Sequence, residues 1–299
     1  MIFGMLACFG PKKELQSIQQ EQPYVWQAPL EKEHALVGKI WSTSNQSWIL
    51  YSEMVDALQS KQHIFIGEKH DNPDHHDWQA KILQSIHKDR AVAFEMLSVD
   101  QKPESSVQDS LALAVAVGWE KSGWPDFDMY KSIFDVVFTN DLPIVYAHPQ
   151  REDVMRVMKQ GFNEEDNAWL EAGEPLSDSA QTELQEEISA SHCGHASDGM
   201  VKMMINAQQY KDAFMSKEIR DSEKKSVLIA GTGHTRQGKG MPRFFNEESV
   251  AVVHMVEVLP QNEDITSYGQ DADYLIFTPR MSNEDPCEVF RKQLEQMKK

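Results

Sequence analysis

His63-Ile64-Phe65-Ile66-Gly67-Glu68-Lys69-His70-Asp71-Asn72-Pro73-Asp74-His75-His76-Asp77-Trp78-Gln79 decides how this chain folds. Its first four residues have the character of a buried strand, and a dense set of ligand-type side chains follows at once. Further along, Val227-Leu228-Ile229-Ala230 leads in the same way into Gly231-Thr232-Gly233-His234. Two Gly-x-x-His tetrads therefore leave two expected strands alike. In a parallel sheet the carboxyl ends of the strands share one edge, where open α/β sheets build their sites. The tetrads are expected to meet there.

Asn72-Pro73 marks a helix start, because Asn caps well and Pro is tolerated at the first helical position. The helix then runs from Asp74 to His87. His75 and His76 fall in its first turn, where the positive end of the helix dipole favours neutral imidazole, the form that donates a lone pair to a metal. Adjacent side chains on a helix diverge, so at most one of the two is a direct ligand. Glu68 leaves one strand end, and Glu95 ends the apolar run Ala91-Val92-Ala93-Phe94. A carboxylate there is costly unless a metal, a hydrogen bond or an ion pair to Arg or Lys satisfies it. Glu68, His70, His75, His76, Glu95 and His234 are accordingly the candidate metal ligands, and the same residue types suit a general acid/base pair. His148 either joins this edge or caps the helix that begins at Pro149. His192 and His195 flank Cys193 as a metal clip or as solvated loop residues.

Outward from these runs, strands are expected at Leu36–Trp41, His63–Gly67, Ala91–Met96, Pro143–Ala147, Ser226–Gly231, Val250–Val258 and Asp273–Thr278. Helical patterns separate them, which predicts an α/β fold with a mainly parallel sheet flanked by helices. Residues 151–225 are too long for a simple crossover and are read as a large helical insertion. Their first part is acidic with no Lys or Arg over Gln160–Ser191, which reads as a solvated face. The methionines of Met200–Met215 lie at helical spacing and read as core, with the lining of a flat apolar ligand as the alternative. Gly118–Tyr130 holds Trp119, Trp124, Phe127 and Tyr130 and is expected to be an aromatic loop that forms a packed lid or pocket wall.

With 299 residues and 40% apolar content the chain can bury a full core. Its 29 basic and 47 acidic residues give a net charge of −18, which opposes phosphate-driven binding of nucleic acid. An anionic ligand would need a local basic clamp set against that field. Met1–Cys8 is apolar up to a cysteine and is similar to the end of a lipoprotein signal, although only seven residues precede Cys8 and none is basic. The two readings are a signal whose beginning lies upstream, with a lipid on Cys8, or an apolar N-terminus alone. Residues 1–35 are thus expected to form an anchor and tether, and residues 36–299 the folded domain. No stretch reaches about 18 apolar residues, so no membrane span is expected. Cys193 and Cys287 either pair in an oxidising compartment or remain thiols.

Taken together, Gly67–Gln79, Gly118–Tyr130, Pro143–Gly161 with Arg151, Gln208 and Asp212, Gly231–Pro242, and the terminal Ala272–Arg280 and Asp285–Cys287 resemble the ChaN-like haem-binding proteins. That family shares a superfamily with the Tiki metalloproteases and the erythromycin esterases. The resemblance covers roughly residues 36–290. It implies a lipid-anchored protein of the bacterial cell envelope that serves iron and haem uptake, with a homodimer enclosing paired haems and a tyrosine holding the iron. Tyr130, beside Trp124, is the first choice for that tyrosine, against the alternative that it packs as a core aromatic. Arg151 and Arg280 are candidate propionate clamps, or instead neutralise Glu95 or cap the sheet. The related hydrolases imply a second function, metal-dependent hydrolysis through Glu68, His70, Glu95 and His234, with a divalent metal as the second cofactor.

Overall fold

In the computed structural model, which describes residues 24–245, 249–284, 287, 288 and 291, eight strands form one sheet with helices on both faces. The chain opens with a hairpin of β1 (Ile40–Ser42) and β2 (Ser47–Ile49), followed by α1 (Tyr51–Gln59), β3 (His63–Glu68), α2 (Pro73–Ile86) and β4 (Arg90–Ser98). Next come α3 (Ser110–Ala116), α4 (Phe127–Thr139) and β5 (Ile144–His148). The insertion contributes α5 (Arg151–Gln160), α6 (Glu164–Glu171), α7 (Asp178–Ser191) and α8 (Asp198–Asp221). The chain then returns through β6 (Lys225–Gly231), the short α9 (Thr232–Thr235), β7 (Val250–Glu257) and β8 (Tyr274–Thr278). The sheet order is β2-β1-β8-β7-β3-β6-β4-β5, parallel throughout except for the β1–β2 pair and the β1–β8 contact at one end.

Both faces of the parallel strands are buried, which is why they read as continuous apolar runs. Ile64, Ile66, Val92, Phe94, Val227 and Ile229 face one way, against α1, α2 and α4. Phe65, Ala93, Leu228, Ala230 and Val252 face the other way, against Met215 and Ile219 of α8 and the aromatic pair Phe244 and Phe245. Six of the seven expected strands coincide with observed ones to within about two residues. The first begins later, at Ile40, because Leu36–Lys39 closes a turn with Gly38 at φ 79°. The three-residue β2 was not foreseen, being too short to carry a periodic signal.

Two other expectations change. Gly118–Tyr130 is not one loop: Asp126 caps α4 by accepting from the Asp128 N–H, so Phe127 and Tyr130 lie on a helix. Phe94 and Phe134 stack below it at 4.5 Å between ring centres, a pair worth about 1 kcal/mol beyond its buried area. The domain also begins before Leu36. Asp74 of α2 accepts the backbone N–H groups of Gln27 and Ala28 at 2.9 Å each and the Tyr24 hydroxyl at 3.0 Å, while Trp26 stacks on Trp78. Leu30 pairs with Arg280. Residues 24–35 are therefore a strap packed on the fold. The expected anchor around Cys8 lies outside the described residues.

Over Gln160–Ser191 the acidic side chains point outward as expected, with one exception. Asp166 is buried and takes both guanidinium nitrogens of Arg156, at 2.8 and 2.9 Å. Cys193, at the α7–α8 turn, is disulfide-bonded to Cys287 across 94 residues of sequence. No helix among the described residues is long and apolar enough to cross a membrane.

Asp74→Ala leaves the buried N–H of Ala28 without an acceptor and is expected to lower unfolding stability by about 2–4 kcal/mol. Limited proteolysis should then cut the variant within residues 24–35 well before the parent. An unchanged urea midpoint together with an uncut strap would contradict this account of the N-terminal boundary.

Candidate functional site

Strands β3, β4 and β6 finish at the same edge of the sheet, and their registers fix what meets there. Glu68, the last residue of β3, lies opposite Gly231, the last of β6. On the far side of β6, β4 stays in register through Phe94, and its pairing with β5 slips before Ser98. Glu95 sits in that irregularity, where a strand can turn a side chain toward a site. The result is a chain of alternating acids and imidazoles. Asp212 Oδ1 lies 2.6 Å from His234 Nδ1, and His234 Nε2 lies 3.2 Å from Glu95 Oε1. Glu95 Oε2 is 3.8 Å from His70 Nε2, and His70 Nδ1 is 2.7 Å from Glu68 Oε1. Glu68 Oε2 ends the series 2.6 Å from His76 Nδ1.

Only His70, with about a third of its side chain exposed (32%), opens to solvent; the carboxylates are buried. Burial works against charge on Glu68, yet His76 and His70 hold its carboxyl down to about 2. Burial likewise opposes the charge on Glu95, but His234 and His70 hold it well below the usual carboxylate range, and the Gly231 N–H donates to it at 2.8 Å. Burial would lower the His234 pKa; Glu95 and Asp212 outweigh it and push the imidazole up to about 9. His70 and His76 are raised against burial in the same manner. Asp212 is pushed up by burial, and its Oδ2 has no hydrogen-bond partner.

Glycine in both tetrads is required by close approach. A Cβ on Gly231 would lie 2.7 Å from His70 Nε2. One on Gly67 would run into Thr235 Oγ1 and come within 2.7 Å of His254 Cδ2. His254, buried on β7, contacts Thr235 at 3.0 Å and is pushed down to about 4 by that burial.

Beside this chain lies an open crevice of about 360 Å³. Trp124, Met96, Val154 and Met155 give it an apolar wall, and Trp124 also packs on His70 at 4.9 Å. Arg151 and Lys211 bring two cations, and His148 stands among them at the end of β5.

Of the residues singled out in the sequence, Glu68, His70, His76, Glu95 and His234 come together, and Trp124 and Arg151 border them. His75 does not join, because its Nδ1 accepts the Lys69 N–H and its Nε2 bonds Thr278 Oγ1. Tyr130 is fully buried beneath His76, with ring centres 3.9 Å apart, and gives its hydroxyl to Glu68. Burial and that carboxylate push the phenol far up, so in this packing it is a core aromatic rather than a ligand facing a pocket. Arg280 lies outside the crevice, its backbone paired with Leu30. Among the described residues no three His, Cys, Asp or Glu side chains are arranged to share one metal ion, His192 and His195 included. The acids and imidazoles pair with one another instead.

Sequence reading missed the roles of Asp212, Gln208 and Lys211. Asp212 and Gln208 are four apart on α8 and so share a face toward His234, with Gln208 Nε2 2.9 Å from its Nδ1. A buried-face Asp in an otherwise apolar helical stripe was the available signal.

A model of the family described as haem-binding uptake, Tiki superfamily, ChaN matches residues 54–245. Among solved structures, that of cofacial haem binding to ChaN of Campylobacter jejuni superposes with a TM-score of 0.64 at 23% identity, covering 79% of this chain and 95% of that one. The type III effector HopBA1 superposes with a TM-score of 0.43 at 10% identity, covering 76% of this chain and 92% of that one. No curated protein matches.

Because the pKa of His234 is raised to about 9 by folding, its proton stabilises the native state fully below about pH 6.5, and the contribution fades as pH climbs through 9. Unfolding stability should fall by about 1–3 kcal/mol across that interval, and the slope should flatten in His234→Ala. A flat profile in the parent protein would contradict a charged imidazole here.

Proposed function

The chain belongs to the ChaN family of haem-binding uptake proteins in the Tiki superfamily, and on that premise we propose that it is a haem carrier of bacterial iron uptake whose crevice beside Trp124 receives the porphyrin. The observation that carries this reading is the pairing of an aromatic and thioether wall with two cations, Arg151 and Lys211, against one acid, Asp100, in the crevice of a chain whose net charge is −18. A haem presents a flat apolar face and two carboxylates. Aromatic and Met contact suits the face, and Arg suits a propionate through paired N–H donors. Bound haem supplies an iron centre; the chain itself supplies the seat, its orientation and the charge that neutralises the propionates.

A crevice of about 360 Å³ leaves much of a porphyrin uncovered, and we propose that a second copy of the chain covers the exposed face in a homodimer. We also place the protein in the cell envelope, held by a lipid on Cys8. The disulfide Cys193–Cys287 supports an oxidising compartment for the mature protein. Metal-dependent hydrolysis remains a second proposal, favoured by one observation: His70 is the solvent-facing member of a buried acid–imidazole series and can exchange a proton with a nearby water.

Haemin titration of the full chain should give a shifted Soret band, and Arg151→Glu with Lys211→Glu should weaken binding roughly tenfold or more while the circular dichroism stays unchanged. No shift at micromolar haemin in the parent would end the carrier reading. In the same preparations, light scattering with and without haemin reads the dimer, and intact mass of Cys8→Ser beside the parent reads the lipid. Ester turnover that vanishes in Glu95→Gln would support the hydrolase over the carrier.

A further inference from the structure

Away from the Trp124 crevice the molecule has a second opening, of about 490 Å³, and the two share no lining residue. It lies between α7, the turn that follows α9 and the loop of residues 269–271 that leads into β8. His254 of β7 stands at its base, 2% exposed; two residues on from Val252, it points to the same face of the sheet, the one covered by α8. The walls carry both signs of charge. Arg236 reaches Glu187 of α7, and Lys239 Nζ lies 2.6 Å from Glu183 Oε2.

Asp271 stands between two of these groups without bonding to either. Its Oδ1 is 3.8 Å from His254 Nδ1 and its Oδ2 is 3.9 Å from Arg236 Nε, both beyond hydrogen-bond reach. Arg236 Nε is buried and has no hydrogen-bond partner among the described residues. The tautomer of His254 follows from its other nitrogen. Thr235 Oγ1 lies 3.3 Å from the Thr232 carbonyl oxygen, which can only accept, so the hydroxyl donates there and accepts from His254 Nε2 at 3.0 Å. Burial pushes the imidazole down to about 4, so it is neutral at physiological pH and turns the lone pair of Nδ1 toward the carboxylate. Two acceptors facing each other across 3.8 Å call for a donor within reach of both, and the buried Arg236 N–H calls for an acceptor.

A primary ammonium beside a carbonyl or carboxylate oxygen meets both demands at once. We propose that this crevice binds the α-amino end of an amino acid or peptide, the ammonium donating to Asp271 Oδ1 and His254 Nδ1 and the neighbouring carbonyl oxygen accepting from Arg236 Nε. Free amino acids and peptide N-termini present the same two groups, and haem plays no part in holding either. Two glycines serve the spacing. A Cβ on Gly67 would lie 2.7 Å from His254 Cδ2, and one on Gly269 would lie 3.1 Å from Asp271 Oδ1.

The test is calorimetric titration of the full chain, without haemin, with L-alanine, L-alaninamide, L-alanyl-L-alanine and N-acetyl-L-alanine. At least one of the three probes with a free α-amino group should bind, and N-acetyl-L-alanine should not. Binding of L-alanine but neither of the other two assigns free amino acids; binding of L-alaninamide or the dipeptide extends the site to peptide N-termini. Asp271→Asn keeps the size of the side chain, removes its charge and should weaken the bound probe roughly tenfold or more. A thermal melt close to that of the parent separates loss of binding from loss of fold. Arg236→Lys, which keeps a charge beside Glu187 but removes the Nε donor, is the second variant and should weaken binding as well. No heat from any of the three amines at millimolar concentration, equal binding of N-acetyl-L-alanine, or undiminished binding in Asp271→Asn would overturn the proposal.

Discussion

Two carboxylates, Glu68 and Glu95, are buried at the carboxyl edge of the sheet, and the rest of the edge is arranged to keep them charged. Removing an ion from water costs several kcal/mol after relaxation, and only close opposite charge and hydrogen bonds repay it. Here each carboxylate has an imidazole on either side, Glu68 between His70 and His76, and Glu95 between His70 and His234. Taking away any one imidazole would leave a buried carboxylate with only one of its two imidazole partners. The tetrad glycines, the irregularity in β4, the turn α9 and the capped start of α2 all serve this spacing, since each sets where one member of the series can reach.

That economy bears on what the edge can do. A set of acids and imidazoles paired with one another is firmly held, and among the described residues no three of them are arranged to share one metal ion. The same rigidity gives the neighbouring crevice a firm back wall. Trp124 leans on His70, and Lys211 follows on α8 directly before Asp212, the residue that holds His234. The ligand-facing wall and the buried series are thus built from the same turns of chain, so a substitution in one disturbs the other.

Much of this was legible in the sequence, and particular residues show why. The apolar runs of β3, β4, β6 and β7 announce strands buried on both faces, because no other short element needs apolar side chains at successive positions. Asn72 and Pro73 fix the start of α2, as capping and a locked φ are local effects. The gathering of Glu68, Glu95, His70 and His234 followed from the shared edge of a parallel sheet. Less was legible where one residue type serves two ends. Tyr130 reads equally well as a ligand or as core, and only the placement of α4 under His76 decides for core. The strap at residues 24–35 looks like a polar tether until Asp74, about 50 positions on, is found to hold it.

The sequence by itself determined the class of fold, the order of its strands along the chain and the residue types gathered at one edge, because periodicity, capping and chain direction are properties of neighbouring residues. Tertiary structure alone decided which of those side chains satisfy each other and which remain open to a ligand. His75 and His76 are adjacent and chemically identical, yet one is spent on Lys69 and Thr278 while the other faces Glu68. Burial and partnership depend on what long-range packing brings alongside, and no local pattern encodes that.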